Sequence, residues 1–174
     1  MIKLWIKLQC RLGKAVNITS RGKYPANVLS NFWGNSFKID GIECKSMEGF
    51  LQSLKHQDVD KQRQICSMKG GKAKHQGTNT WKIKQQVYWH GKAMGRQSNE
   101  FYHLIYKAYC AMFEQSVSFH DALMLTRGKK LFHASGVNNP LDTILTRDEF
   151  CRVLTEMREK EIVATNSLLG KKIV

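Results

Sequence analysis

Within the stretch "SMEGFLQSLK", residues 46–55, Glu48 is followed one turn later by Gln52 and about two turns later by Lys55. Met47, Phe50, Leu51 and Leu54 fall at helical spacing beside them, so one face of the segment is expected to be buried. A glutamate in a first helical turn is also what the helix dipole favours. The residue types therefore leave two readings open, a solvated polar face and a carboxylate held at the rim of a pocket, where acid–base or electrostatic work could be done.

Two other stretches carry chemistry-bearing types. "YWHGKAMGRQS", residues 88–98, sets Tyr88 and Trp89 beside Lys92 and Arg96. Aromatic planes next to a guanidinium suit stacking on a base and pairing with a phosphate, which makes Trp89 and Arg96 candidate substrate contacts; a loop around one core tryptophan is the plainer alternative. "GGKAKHQGTN" is glycine-rich and basic, but no Lys follows Gly77 and no buried strand precedes the stretch. It is not a nucleotide-binding P-loop, although its backbone N–H groups could approach a phosphate. Cys110 and His133 read as interior residues, with no local signature of Cys–His catalysis.

The elements that must position these groups are mostly helical. Residues 2–9 alternate Ile2, Leu4, Ile6 and Leu8, a pattern expected of a half-buried strand. Asp40-Gly41 separates two short alternating runs as a two-residue hairpin. Ser46 is an N-cap for the helix bearing Glu48, and Asp58 caps another through "VDKQRQICSM". Residues 99–114 form the strongest helical pattern; Ser118 is expected to cap "FHDALMLT", and "KKLFHASG" to be extended. Thr146 and Glu149 form a capping box for the last helix, with Phe150, Val153, Leu154 and Met157 inward. The expected fold is mainly α with a small β component near the N-terminus, one α+β domain over residues 1–174.

Composition sets the class of partner. The chain has 174 residues, 42% hydrophobic and 24% charged, which is ordinary for a globular protein with its own core. Lys and Arg number 28 against 14 Asp and Glu, a net charge of +14. Such an excess attracts polyanions, nucleic acid foremost. No segment reads as a long apolar face joined to a clustered basic one, so a membrane surface is not expected as a partner. Five scattered cysteines without CxxC spacing suit reduced thiols in the cytoplasm, and six histidines without HExxH point to no metal. No cofactor is implied, and no run reads as a signal peptide or membrane span.

In motif order the chain resembles the NADAR family, also called YbiA-like proteins. "NVLSNF" carries the family's SNF signature at Ser30-Asn31-Phe32, and "SFKIDGIECKSMEGFLQSLK" corresponds to its hairpin and glutamate-bearing helix. "GKAKHQG", "ALMLTRGKKLFHASG" and "EFCRVLTEMRE" match later segments, so the resemblance covers about residues 27–160. Three positions depart from the family pattern. Gly49 stands where the family has His after the glutamate, and Gln76 where it has Arg. "NNPLDTILT" lies near the place of its Trp-Gly-Asp-Gly, where Asp142 is the acid available.

The resemblance implies a compact YbiA-like fold and N-glycosidase chemistry on ribosyl groups. It makes Glu48 the catalytic carboxylate, with Asp142 as a second acid, and Asn31, Phe32, Gln52 and Lys55 substrate contacts. The implied reaction releases ADP-ribose from guanine, and the +14 charge favours DNA as the polymer that carries the base. Reversal of that modification would serve as an antitoxin or as phage counter-defence, in a bacterial or infected-host cytoplasm. Two alternatives stand beside it. One is the same chemistry on a free ADP-ribosyl nucleotide or riboflavin-pathway intermediate; the other is a non-catalytic basic module that binds nucleic acid or ADP-ribose.

Overall fold

The computed structural model describes residues 2–170. Helix α1 (Ile2–Arg11) leads into strand β1 (Ala15–Asn17), and the hairpin β2 (Phe37–Ile39) and β3 (Ile42–Cys44) into α2 (Met47–Ser53). Helices α3 (Val59–Cys66), α4 (Gly70–Lys74) and α5 (Trp81–Lys84) follow, then a second hairpin, β4 (Gln86–Trp89) and β5 (Lys92–Gly95). The chain continues through α6 (Asn99–Gln115), α7 (Val117–Met124), β6 (Lys130–Phe132) and α8 (Arg147–Gly170). This is an α+β fold dominated by helices. Among the described residues the strands form three two-stranded sheets, and besides the N-terminal hairpin they occur at 15–17, 86–95 and 130–132.

Two hairpins turn through left-handed pairs. Asp40 and Gly41 have φ of 48° and 81°, and His90 and Gly91 have 49° and 76°, the backbone that a two-residue turn needs to match strand twist. The third sheet is different in kind. β1 and β6 pair in parallel, with Ala15 opposite Lys130 and Asn17 opposite Phe132.

Helix α2 is buried along its whole length and lies against α3, α4 and α6. Ser46 caps it by accepting from the Gly49 N–H at 3.1 Å, and the Ser46 hydroxyl donates to the Met68 carbonyl at 3.1 Å. This docking explains Gly49. A Cβ there would lie 2.6 Å from the Met68 carbonyl oxygen, and 3.0 and 3.1 Å from those of Ile65 and Cys66. A histidine could not occupy this position without pushing α3 away.

Two local expectations are corrected. Residues 2–11 are helical, not a strand, and only one side of the segment meets the protein. Ile6 is buried there, whereas Leu4 and Leu8 face outward. The alternation of Ile2, Leu4, Ile6 and Leu8 coexists with an i, i+4 row (Leu4, Leu8, Leu12), and the second pattern describes the helix. Helix α7 starts two residues early: Ser116 is its cap, and the Ser118 hydroxyl bonds to Asn35 Oδ1 instead.

Candidate active site

A cleft of about 280 Å³ opens between α2 and the segment 133–150. Asn31, Phe32, Glu48 and Gln52 line it from one side. His133, Thr143, Leu145, Thr146 and Phe150 line the other, and Lys74 stands at its edge.

Glu48 is the carboxylate of this cleft. It is 5% exposed, so it is largely removed from bulk water yet still reaches the cavity. Three groups fix it: its backbone N–H donates to the Asn31 carbonyl at 2.9 Å, Gln52 Nε2 donates to Glu48 Oε1 at 2.7 Å, and Lys74 Nζ is 3.6 Å from the same oxygen. A buried carboxylate needs this company, since burying its oxygens without hydrogen-bond partners is costly. The helical spacing of Glu48 and Gln52 thus becomes a bond.

Asn31 is held from behind. Tyr109, buried in α6, donates its hydroxyl to Asn31 Oδ1 at 2.7 Å. Burial drives the Tyr109 phenol well above its usual value, and the neighbouring Glu48 charge adds to the shift, so Tyr109 stays a donor. Asn31 so held is one of the residues lining the cleft. His133 is anchored through Nδ1, 2.9 Å from the Ile18 carbonyl, which leaves Nε2 as its second polar atom.

Gln52 carries an unmet demand. Its Oε1 is buried and has no hydrogen-bond partner among the described residues, while Nε2 serves Glu48. Gly77 closes over that oxygen: a Cβ there would sit 1.9 Å from Gln52 Oε1 and 3.0 Å from Lys55 Nζ. Gly77→Ala should therefore displace Gln52 from Glu48. We expect turnover to fall about 10–100-fold, the scale of an ångström's misplacement, with a smaller change in melting temperature. A folded variant with undiminished turnover would detach Gln52 from catalysis.

Four predicted site residues lie elsewhere. Lys55 does not line the cleft; its Nζ lies 5.8 Å from the Trp81 ring centroid. Burial, and then repulsion from Lys74, lower its pKa to about 8. Trp89 is no stacking platform. It is buried edge-on against Phe50, with centroids 5.0 Å apart, and donates Nε1–H to Asp40 at 2.9 Å. Arg96 is 1% exposed and is held by Glu149 through two bonds of 3.1 and 2.6 Å. Its Nε donates to the Thr143 carbonyl at 3.1 Å, so Arg96 fastens the 143–149 wall of the cleft and is not among the cleft's lining residues. Asp142 is exposed, bonded to Asn139 and 3.6 Å from Lys82, and is not among the cleft's lining residues.

Lys74 and His133 were not singled out as site residues in the sequence. Lys74 belongs to the glycine-rich basic stretch, whose residues 70–74 are helical, and the contact with Glu48 crosses 26 positions. From Lys61 to Asn99 the chain has no acidic residue, and Lys55, Lys74 and Lys82 from this neighbourhood are close enough to influence one another. Of these three only Lys74 lines the cleft, and Lys82 is 3.6 Å from the Asp142 carboxylate.

Comparison with known proteins bears on family and fold. Residues 23–159 match the family described as Bacteriophage protein GP30.3. A 17.1 kDa protein from the Gp30–rIII intergenic region of Enterobacteria phage T4 is 36% identical over 148 residues, 83% of this chain and 97% of the relative. The NMR structure of YbiA from E. coli superposes with a TM-score of 0.58 at 18% identity, covering 87% of each chain. That likeness is one of fold, and it bears out the YbiA-like α+β architecture.

Proposed function

The chain belongs to the bacteriophage GP30.3 family and has the YbiA fold, and from that premise we propose that it is an N-glycosidase that hydrolyses the bond between ADP-ribose and guanine, with DNA as the preferred carrier. The observation that carries this reading is the buried Glu48 carboxylate, fixed by Gln52 and Lys74 at a cleft of about 280 Å³. A volume near the lower end of small-molecule sites suits one ribose and its attached base edge, with the rest of the ligand outside.

The chemistry follows from that placement. Breaking the bond between the anomeric carbon and the base nitrogen leaves its electron pair on guanine and positive charge on the ribose. Glu48 stabilises that charge and accepts a proton from the water that attacks the anomeric carbon. Guanine departs with a proton taken up from water, and free ADP-ribose is the other product. Lys74 at the cleft edge suits a phosphate of its diphosphate. The phage source of the T4 relative favours counter-defence over an antitoxin role.

The test is mass spectrometry of oligonucleotides bearing ADP-ribosyl-guanine, incubated with wild type and with Glu48→Gln. Loss of the ADP-ribosyl mass only with wild type is expected. The polymer is tested by salt: four to six phosphate contacts would weaken duplex binding about 10²–10³-fold between 50 and 200 mM. A flat salt dependence with rapid cleavage of free ADP-ribosyl nucleotide would transfer the activity to small molecules.

A further inference from the structure

Helix α1 lies outside the family-matched residues 23–159 and outside the cleft, and it exposes what a folded protein normally hides. Leu4, Leu8 and Leu12 are 74%, 52% and 56% exposed, and Trp5 beside them is 48% exposed. At about 100° per residue Leu4, Trp5 and Leu8 occupy one arc of the helix and Leu12, just past its end and bonded back to the Leu8 carbonyl at 3.0 Å, continues the row, with Arg11, Lys7 and Lys3 following in order along its edge. Ile6, on the opposite side, is buried and seats the helix on the protein. Lys130 flanks the stripe from its other edge, its Nζ 6.0 Å from the Trp5 ring centroid. An apolar stripe thus runs between two cationic borders.

We infer that α1 docks the protein onto an anionic lipid surface, with the leucines and Trp5 entering the headgroup boundary and the cations pairing with lipid phosphates. This arrangement of aliphatic row, edge tryptophan and basic rim is what an interfacial helix requires. Other occupants fit less well. Nucleic acid would use the cations but offers no apolar groove for three leucines in a row. A second copy would set Lys3, Lys7 and Arg11 of both molecules along one seam, where like charges repel. The membrane surface was unexpected from sequence because residues 2–9 read as a strand; as a helix the same residues form the apolar-and-basic face that was missing.

The full chain is tested by flotation with vesicles of phosphatidylcholine alone or mixed with phosphatidylglycerol. Two variants accompany it, Leu4→Gln/Leu8→Gln and Lys3→Glu/Lys7→Glu, all at outward-facing positions, and circular dichroism verifies their folding. Wild type should float with the anionic vesicles and not with the neutral ones. Each variant should lose about tenfold or more in binding, while glycosidase activity on a free nucleotide stays unchanged. Equal binding of wild type and the leucine variant would overturn the inference, because the general positive charge would then account for adsorption. Absence of wild-type binding would also overturn it. A vesicle-free dimer that the leucine variant dissolves would assign the stripe to a second copy instead.

Discussion

Glu48→Gln is expected to leave the fold intact and lower turnover by about 10²–10⁴-fold, the range for losing acid–base assistance. Glutamine has nearly the shape of glutamate, and its carbonyl oxygen can still accept the bond that Gln52 Nε2 now gives to Glu48 Oε1 at 2.7 Å. Met47, Phe50, Leu51 and Leu54 stay packed, so melting temperature should move little. What disappears is the negative charge facing the oxocarbenium-like centre and the site for the proton of attacking water. Single-turnover measurement with enzyme in excess, together with substrate binding by the inactive variant, separates lost chemistry from lost affinity. Near-normal turnover would leave Glu48 as a buried structural carboxylate.

The second large effect is on stability. Arg96→Ala should cost about 3 kcal/mol, the lower end of the range for removing one partner of a buried ion pair, because the Glu149 side chain left behind is 26% exposed. The Arg96 side chain is enclosed, its guanidinium lies 4.7 Å from the Phe101 ring centroid, and it binds both oxygens of Glu149. Burial pushes the Glu149 carboxyl upward, but Arg96 and the Thr146 backbone and hydroxyl outweigh it and hold the pKa below its ordinary 4.5. A carboxyl depressed in the folded state stabilises above its unfolded pKa and loses that contribution as pH falls through the folded one. Wild type should therefore shed stability below about pH 4.5 more steeply than Arg96→Ala, which has less to lose. Chemical denaturation across pH 3–7 checks both claims. An unchanged midpoint with weakened substrate binding would restore Arg96 as a phosphate contact.

Local signals in the sequence were legible where neighbours in the chain decide the structure. Ser46, Asp58 and the Thr146–Glu149 box cap their helices, and Asp40-Gly41 turns its hairpin, because each choice is made within four residues. Glu48 and Gln52 were legible for the same reason: one helical turn joins them. Trp89 and Arg96 were not. Stacking and ion pairing use the same atoms inside a core as against a ligand, and only Phe50, Asp40 and Glu149, distant in sequence, decide which occurs. Lys74 is the converse case. Its value comes from α4 lying against α2, a contact that no spacing rule announces.

The parallel pairing of β1 with β6 bears on how this protein is made. Ala15 waits for Lys130, and the Asn31–Gln52 side of the cleft waits for the His133–Phe150 side. On the ribosome the N-terminal hairpin and α2 can form early, but the strand partner has not yet been synthesised, and long-range closure is the slow part of such a topology. During that interval the cleft face of α2, with Phe50 and Leu51 behind it, has no opposite wall. The nascent chain is thus most vulnerable to aggregation and proteolysis until residues up to about 150 have emerged. A prematurely terminated product that stops short of β6 should have Glu48 in place on α2 and no site for it to serve.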